Sequence, residues 1–105
     1  MRYHIEFDIE LRKNPYKGTY IALEGIDGSG KTTQASSLAE YFKSKGKAVV
    51  QTREPRKKGL IGDIVQKVLT GKIKIPSVGL QYLFATDRVL HHEAVIIPAL
   101  KQGKI

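Results

Sequence analysis

The sequence predicts an α/β fold: an incomplete parallel sheet flanked by helices, with an extra strand at the N-terminus. Three observations carry that expectation. A short apolar run, Tyr20-Ile21-Ala22-Leu23, leads into the glycine-rich stretch Gly25-Ile26-Asp27-Gly28-Ser29-Gly30-Lys31-Thr32, and a helical pattern comes directly after it. A second apolar run, Ala48-Val49-Val50-Gln51-Thr52, comes after that helix and is stopped by Pro55. Before both, residues 3–11 alternate strictly between apolar and polar side chains.

The alternation of Tyr3, Ile5, Phe7, Ile9 and Leu11 with His4, Glu6, Asp8 and Glu10 has the period of a half-buried strand. The cluster Lys13-Asn14-Pro15-Tyr16-Lys17-Gly18 is turn chemistry that separates it from the next strand. Residues 1–18 are therefore expected to be an extension, a strand plus a turn, and residues 19–105 the main domain. Residues 19–24 form that next strand, buried and unalternating. Gly25 to Thr32 then satisfies the pattern G-x-x-x-x-G-K-[ST] at every required position. A random chain of this length matches that pattern roughly once in 300.

The residue types in the loop have a physical reason. Gly28 and Gly30 lack Cβ, so the backbone can take positive φ and approach a ligand closely. Successive N–H groups then make a concave nest for phosphate oxygens, and the helix starting near Lys31 adds the positive end of its dipole. Lys31 would reach the β- and γ-phosphates, and the Thr32 hydroxyl would hold Mg²⁺. This helix carries Ala35, Leu38, Ala39 and Phe42 on one face and ends near Lys45, with Gly46 as its C-terminal cap. Residues 48–52 are the second strand, joined to the first by a right-handed helical crossover.

Arg56-Lys57-Lys58-Gly59 stands at the carboxyl edge of that strand, where ligands of open α/β sheets bind. It reads either as an anion clamp beside the loop or as a solvated run of charge. Residues 60–70 predict a second helix, with Ile61, Ile64, Val65, Val68 and Leu69 along one stripe and Gly71 at its end. Ser77 is the expected cap of a long third helix, with apolar Leu80, Leu83, Phe84, Leu90, Ala94 and Ile97. Pro98 should kink or restart this helix, and Gly103 should break it before Lys104-Ile105 enters another strand. Phe84 and Arg88 share a face at i and i+4, which suits a planar heterocycle, though a ring in that place is also ordinary core. His91, His92 and Glu93 are poorly arranged for a shared metal, because adjacent helical residues point about 100° apart.

Composition sets the outer bounds. The chain has 105 residues, 41% hydrophobic and 27% charged, which suits one small globular domain. No apolar run reaches membrane-spanning length, and the first residues do not read as a secretory signal. There is no cysteine, which excludes disulfides and thiolate metal sites. A cytoplasmic protein is expected. The net charge of +8 favours acidic partners; with a phosphate loop present these are nucleotides, while nucleic acid and membrane are not the expected partners, and the aromatic-basic interleaving of a stacking platform is missing.

Residues 20–34, Thr52-Arg53-Glu54-Pro55 and Leu83-Phe84-Ala85-Thr86-Asp87-Arg88, taken together, resemble thymidylate kinase. The resemblance covers about Gly18 to Ile105 with motif order intact, and the second and third segments are far more specific to that family than the loop. It implies the parallel-sheet fold of the phosphate-loop nucleoside monophosphate kinases and transfer of the γ-phosphoryl of ATP to dTMP, giving dTDP, with Mg²⁺. Carried over by motif, the loop from Gly25 through Ile26, Asp27, Gly28, Ser29, Gly30, Lys31 and Thr32 to Thr33 would bind the ATP phosphates. Lys31 would stabilise the transferring group, Asp27 would accept from the deoxyribose 3′-hydroxyl, and Arg53 with Arg56 or Lys57 would approach the dTMP phosphate. Lys31, Asp27 and Arg53 are thus the expected catalytic set, Phe84 would stack on thymine, and Arg88 would bond its O4.

The chain also departs from the family pattern. Residues 3–11 precede the family's usual start. The family's third strand, an Asp-Arg-Tyr-type motif, the mobile lid and the adenine-binding loop all belong after Ile105, so the chain resembles an N-terminal half, and full turnover is expected to need the remainder. Gly28 stands where some relatives carry an arginine. The family is commonly dimeric, and the apolar third helix offers the surface for a homodimer. The alternatives are a non-catalytic nucleotide-binding module and a kinase of the same fold with another acceptor.

Overall fold

A computed structural model describes all residues 1–105. Its regular elements are helical: α1 (Lys31–Ser44), α2 (Leu60–Leu69) and α3 (Ser77–His91), a π-helical turn (His92–Ile96), and α4 (Ile97–Lys101). The α1 and α2 boundaries agree with the sequence to within a residue or two. Gly46 and Gly71 take positive φ just past the ends of α1 and α2, as the capping argument requires. Two details differ. Pro76, not Ser77, is the N-cap of α3, and no side chain caps it. The interruption expected at Pro98 comes before it as the π turn, in which the Ile97 N–H bonds back to the His92 carbonyl. Pro98 has no N–H to continue an α ladder, so the chain widens one turn and restarts.

The parallel sheet expected from the sequence is not formed. No residue is in a strand. Residues 3–11 are exposed on both faces, including Ile5 at 77% and Leu11 at 88%. Alternation gives that segment one apolar face, but a strand also needs a neighbour to bond, and none pairs with it. Residues 19–24 and 48–52 are extended without a ladder between them. The slot separating them receives only the last two residues of the chain. Thr19 N–H donates to Lys104 O at 3.1 Å on one side, and on the other Ile105 N–H donates to Ala48 O at 3.0 Å while Val50 N–H donates to Ile105 O at 2.8 Å. This last pair of bonds is the slanted pattern of parallel pairing, one step long.

The packing that exists lies elsewhere. Val65 is fully buried where α2 meets α3, and Ile96 and Leu100 are buried along the π turn and α4. Gly18 N–H donates to Leu100 O at 2.9 Å, and Asn14 Nδ2 holds Gly18 O, so the turn at 14–18 is fastened to α4. Helix α1 packs on no other helix. The radius of gyration is 17.2 Å, against about 13 Å for a close-packed chain of this length. The space between α1 and α4 is accordingly open.

Candidate nucleotide site

The glycine loop is built as its sequence demands. Gly28 and Gly30 have φ of 76° and 91°. Gly30 is the residue before α1, and no side chain caps that helix. Ser29 N–H bonds to Ile26 O at 3.2 Å, closing the loop on itself. The backbone N–H groups of Gly28, Gly30, Lys31, Thr32 and Thr33 have no acceptor within the chain. Several unmatched donors at one helix N-terminus have the geometry and the dipole direction that anion binding requires. Lys31 Nζ crosses the loop and donates to the Gly25 carbonyl, which keeps its charge over the same concavity. A Cβ at Gly25 would lie 2.9 Å from Ser29 Oγ, a hydroxyl that can rotate away.

Opposite the loop, α3 presents three polar residues to the segment after the second extended stretch. Asp87 is 1% exposed and accepts two bonds from Arg56, one from the backbone N–H and one from Nε, both at 2.9 Å. Arg88 Nε donates to Glu54 Oε2 at 2.7 Å. His91, 2% exposed, meets Glu54 Oε1 through Nδ1 at 3.0 Å and the Thr52 hydroxyl through Nε2. Burial alone would push the Glu54 carboxyl up, but hydrogen bonds from Arg88 and His91, together with their charges, outweigh it and hold the group below its ordinary value. In turn the hydrogen bond and charge of Glu54 hold the Arg88 guanidinium above its own. The turn from Glu54 to Arg56 contains a cis Glu54–Pro55 bond, and α2 presses on it from below. A Cβ at Gly62 would lie 2.7 Å from the Arg56 carbonyl oxygen.

A cavity of about 1220 Å³ joins these parts. Its polar walls are Gly25, Asp27, Gly28 and Gly30 to Thr33 from the loop, Arg53, Glu54 and Lys57 from the second segment, and Arg88 and His91 from α3. Its apolar walls, among them Leu23, Leu38, Phe42, Val49, Ile96 and Ile105, belong to the open interior. A second hollow of about 470 Å³ adjoins it and is lined by Arg53, Arg56, Lys57 and Lys58. Within the basic loop Arg56 is anchored to Asp87, while Lys57 and Lys58 are exposed beside the second hollow.

Of the residues singled out in the sequence, Lys31, Asp27, Arg53, Lys57, Arg88, Thr32 and Thr33 meet at the main cavity, with Gly25, Gly28 and Gly30. Arg56 lines the adjoining one. Ile26 and Ser29 do not line the cavity, and neither does Phe84, which is half-buried on α3 one turn before Arg88. His91 and His92 diverge: the second lies edge-on to Tyr20, ring centroids 6.1 Å apart. Sequence reasoning assigned no role to Asp87, Glu54 or His91. A signal existed. Asp87 and His91 occupy successive turns of the face that carries Leu80, Leu83 and Phe84, so two polar residues stand in core positions.

Comparison with known proteins gives one consistent result. The thymidylate kinase family model matches residues 23–105. A probable thymidylate kinase of Pyrococcus horikoshii is 44% identical over 94 residues, covering 85% of this chain and 45% of the relative. The corresponding protein of Pyrococcus abyssi is 42% identical over 94 residues with the same coverage. A thymidylate kinase of Protochlamydia amoebophila is 43% identical over 93 residues, covering 86% of this chain and 41% of the relative. The chain spans a little under half the length of these curated relatives.

Proposed function

The chain belongs to the thymidylate kinase family, and from that premise we propose that it carries the phosphate-gripping and acceptor-facing half of an enzyme moving the γ-phosphoryl of ATP to dTMP. The observation that supports this reading most directly is the shared cavity. Unmatched loop N–H groups and Lys31 stand on one wall, and Arg53, Lys57 and Arg88 stand on another. A donor polyphosphate and an acceptor monophosphate both need such positive walls, and phosphoryl transfer asks the protein chiefly for positioning and charge neutralisation.

In this reading the loop from Gly25 to Thr33 binds the ATP phosphates and Lys31 follows the charge on the moving group. Asp27 accepts from the sugar hydroxyl. Arg53, with Lys57 beside it and Arg56 in the adjoining hollow, receives the dTMP phosphate, while Arg88 reads the base; Phe84, one turn earlier and off the cavity wall, would turn inward to stack on it. Residues 1–18 are an extension outside the domain, and α3 is the face for a second copy.

The unmatched N–H groups fit a polyphosphate. For magnesium the fit is narrower. Thr32 offers one exposed hydroxyl, and no group of three or more acidic or imidazole side chains comes together. That suits an ion held mainly by phosphate oxygens and water, which is how Mg²⁺ commonly binds. When bound it would neutralise phosphate charge.

A second reading is nucleotide binding without turnover, which needs only the unmatched N–H groups of the loop and the basic cavity wall. Calorimetry with ATP and dTMP, followed by a coupled ADP-release assay with dTMP, dUMP and dCMP as acceptors, separates the cases. The proposal expects saturable binding of both nucleotides and, where turnover occurs, preference for dTMP. Binding without ADP release supports the second reading, and no binding of either nucleotide defeats both.

A further inference from the structure

We propose that His91 is a positioning residue for nucleobase recognition, acting through Glu54 on Arg88. The inference rests on the reading of Arg88 as the residue that meets the pyrimidine. A guanidinium on a long stem is mobile by default, and Arg88 is exposed over 66% of its side chain. What fixes it is a single bond, Nε to Glu54 Oε2 at 2.7 Å, and its terminal nitrogens donate to nothing in the chain. They remain free for a ligand in the cavity that Arg88 lines.

Glu54 transmits its own orientation to Arg88. Its second oxygen, Oε1, lies 3.0 Å from His91 Nδ1. An ionised carboxylate only accepts, so Nδ1 carries the hydrogen and the ring is oriented. In the neutral ring Nε2 then accepts from the Thr52 hydroxyl, the partner at the other end. His91 is almost wholly buried, and no other polar side chain meets it. The series Thr52, His91, Glu54, Arg88 therefore runs from a fixed interior ring to an exposed guanidinium. A carboxylate held at both oxygens presents Nε with one direction, and a carboxylate held at one oxygen presents several.

The test compares the 105-residue chain with three variants. Asn places its amide nitrogen where Nδ1 was, so H91N keeps the bond to Glu54. Gln places its polar atoms near Nε2, so H91Q keeps contact with Thr52 and loses Glu54. H91A loses both. The first readout needs no ligand: the Arg88 Nε–H resonance and its exchange with water. The inference expects a resolved, slowly exchanging signal in the parent and in H91N, and a collapsed one in H91Q and H91A. The second readout is calorimetry with dTMP, dCMP and ATP. H91Q and H91A should bind dTMP weaker by roughly twofold to tenfold, the range for re-ordering one long side chain. They should discriminate less between dTMP and dCMP, with ATP affinity unchanged and H91N near the parent.

An Arg88 Nε–H signal unchanged in H91Q and H91A overturns the inference. Variants that lose ATP and dTMP affinity together also overturn it, because that marks general loosening. If the parent binds dTMP and dCMP equally while the resonance collapses as expected, the coupling of His91 to Arg88 stands and the thymidylate reading of the site falls.

Discussion

Asp87 and Arg56 are joined twice, side chain to backbone and side chain to side chain, with both bonds at 2.9 Å and the carboxylate all but fully buried. The two residues are 31 positions apart. This pair fixes the basic loop to α3, and it makes the two ends of the bond unequal. Arg56 is 26% exposed along its side chain and has water within reach, whereas Asp87 has none.

Removing either partner should therefore cost different amounts. Asp87→Ala leaves two donors unmatched near the surface and should destabilise by about 1–3 kcal/mol. Arg56→Ala leaves a buried carboxylate with only the backbone N–H, and the cost should rise to about 3–5 kcal/mol. Urea unfolding of both variants measures the difference, and equal losses would contradict the burial argument.

The glycines of α2 and α3 give a paired prediction of opposite sign. An alanine at Gly62 meets the Arg56 carbonyl oxygen at 2.7 Å, against backbone that cannot give way easily. Gly62→Ala should cost about 1–3 kcal/mol as overpacking. An alanine at Gly79 meets only the Ile75 side chain at 3.5 Å, an ordinary contact inside a helix. Gly79→Ala should stabilise by up to about 1 kcal/mol. Thermal melting of the two variants checks the signs.

Lys31 is predicted to matter for binding and not for folding. It is half-buried over an exposed loop, and its bond to the Gly25 carbonyl is local. Lys31→Ala should weaken ATP binding by roughly 10-fold or more, the size of a lost charge-assisted bond. The unfolding midpoint should move little. Calorimetry and urea unfolding of the same variant read both quantities, and a large stability loss with intact binding would reverse the assignment.

Acid should loosen the α3 contact through Glu54. Its carboxyl is held below the ordinary value of 4.5 in the folded chain, chiefly because the bonds from Arg88 and His91 overcome burial. A depressed folded-state value stabilises the fold above the unfolded value and loses that contribution as pH falls through the folded one. Stability should thus decline from about pH 4.5 downward, and Glu54→Gln should remove this part of the decline. Unfolding curves between pH 3 and 6 test it, as long as both proteins are compared at each pH.

The sequence made the helices and the glycine loop readable because their causes are local. Ala35, Leu38, Ala39 and Phe42 repeat at helical spacing, and Gly28 and Gly30 stand where the backbone must turn through positive φ. The expected strands failed for a non-local reason. An apolar run such as Tyr20 to Leu23 becomes a strand only when another backbone bonds to it, and here only Lys104 and Ile105 enter the neighbouring space. The contacts of Asp87 and His91 were hidden by distance along the chain, since their partners lie 31 to 39 positions earlier. Polar residues standing on the apolar stripe of α3 were the trace those contacts left.

The wide turn at His92–Ile96 acts as a phase adjustment between two tasks of one continuous rod. Upstream, His91 must look toward Glu54; downstream, Leu100 must look toward Gly18, whose missing Cβ would stand 2.7 Å from the Leu100 Cα. Each residue gained or lost in a helix rotates everything after it by about 100°. Excising a single residue from that turn would leave the rod intact yet swing Leu100 away from its glycine, uncoupling the 14–18 turn from α4 and turning the Ile96–Leu100 side of the cavity wall with it.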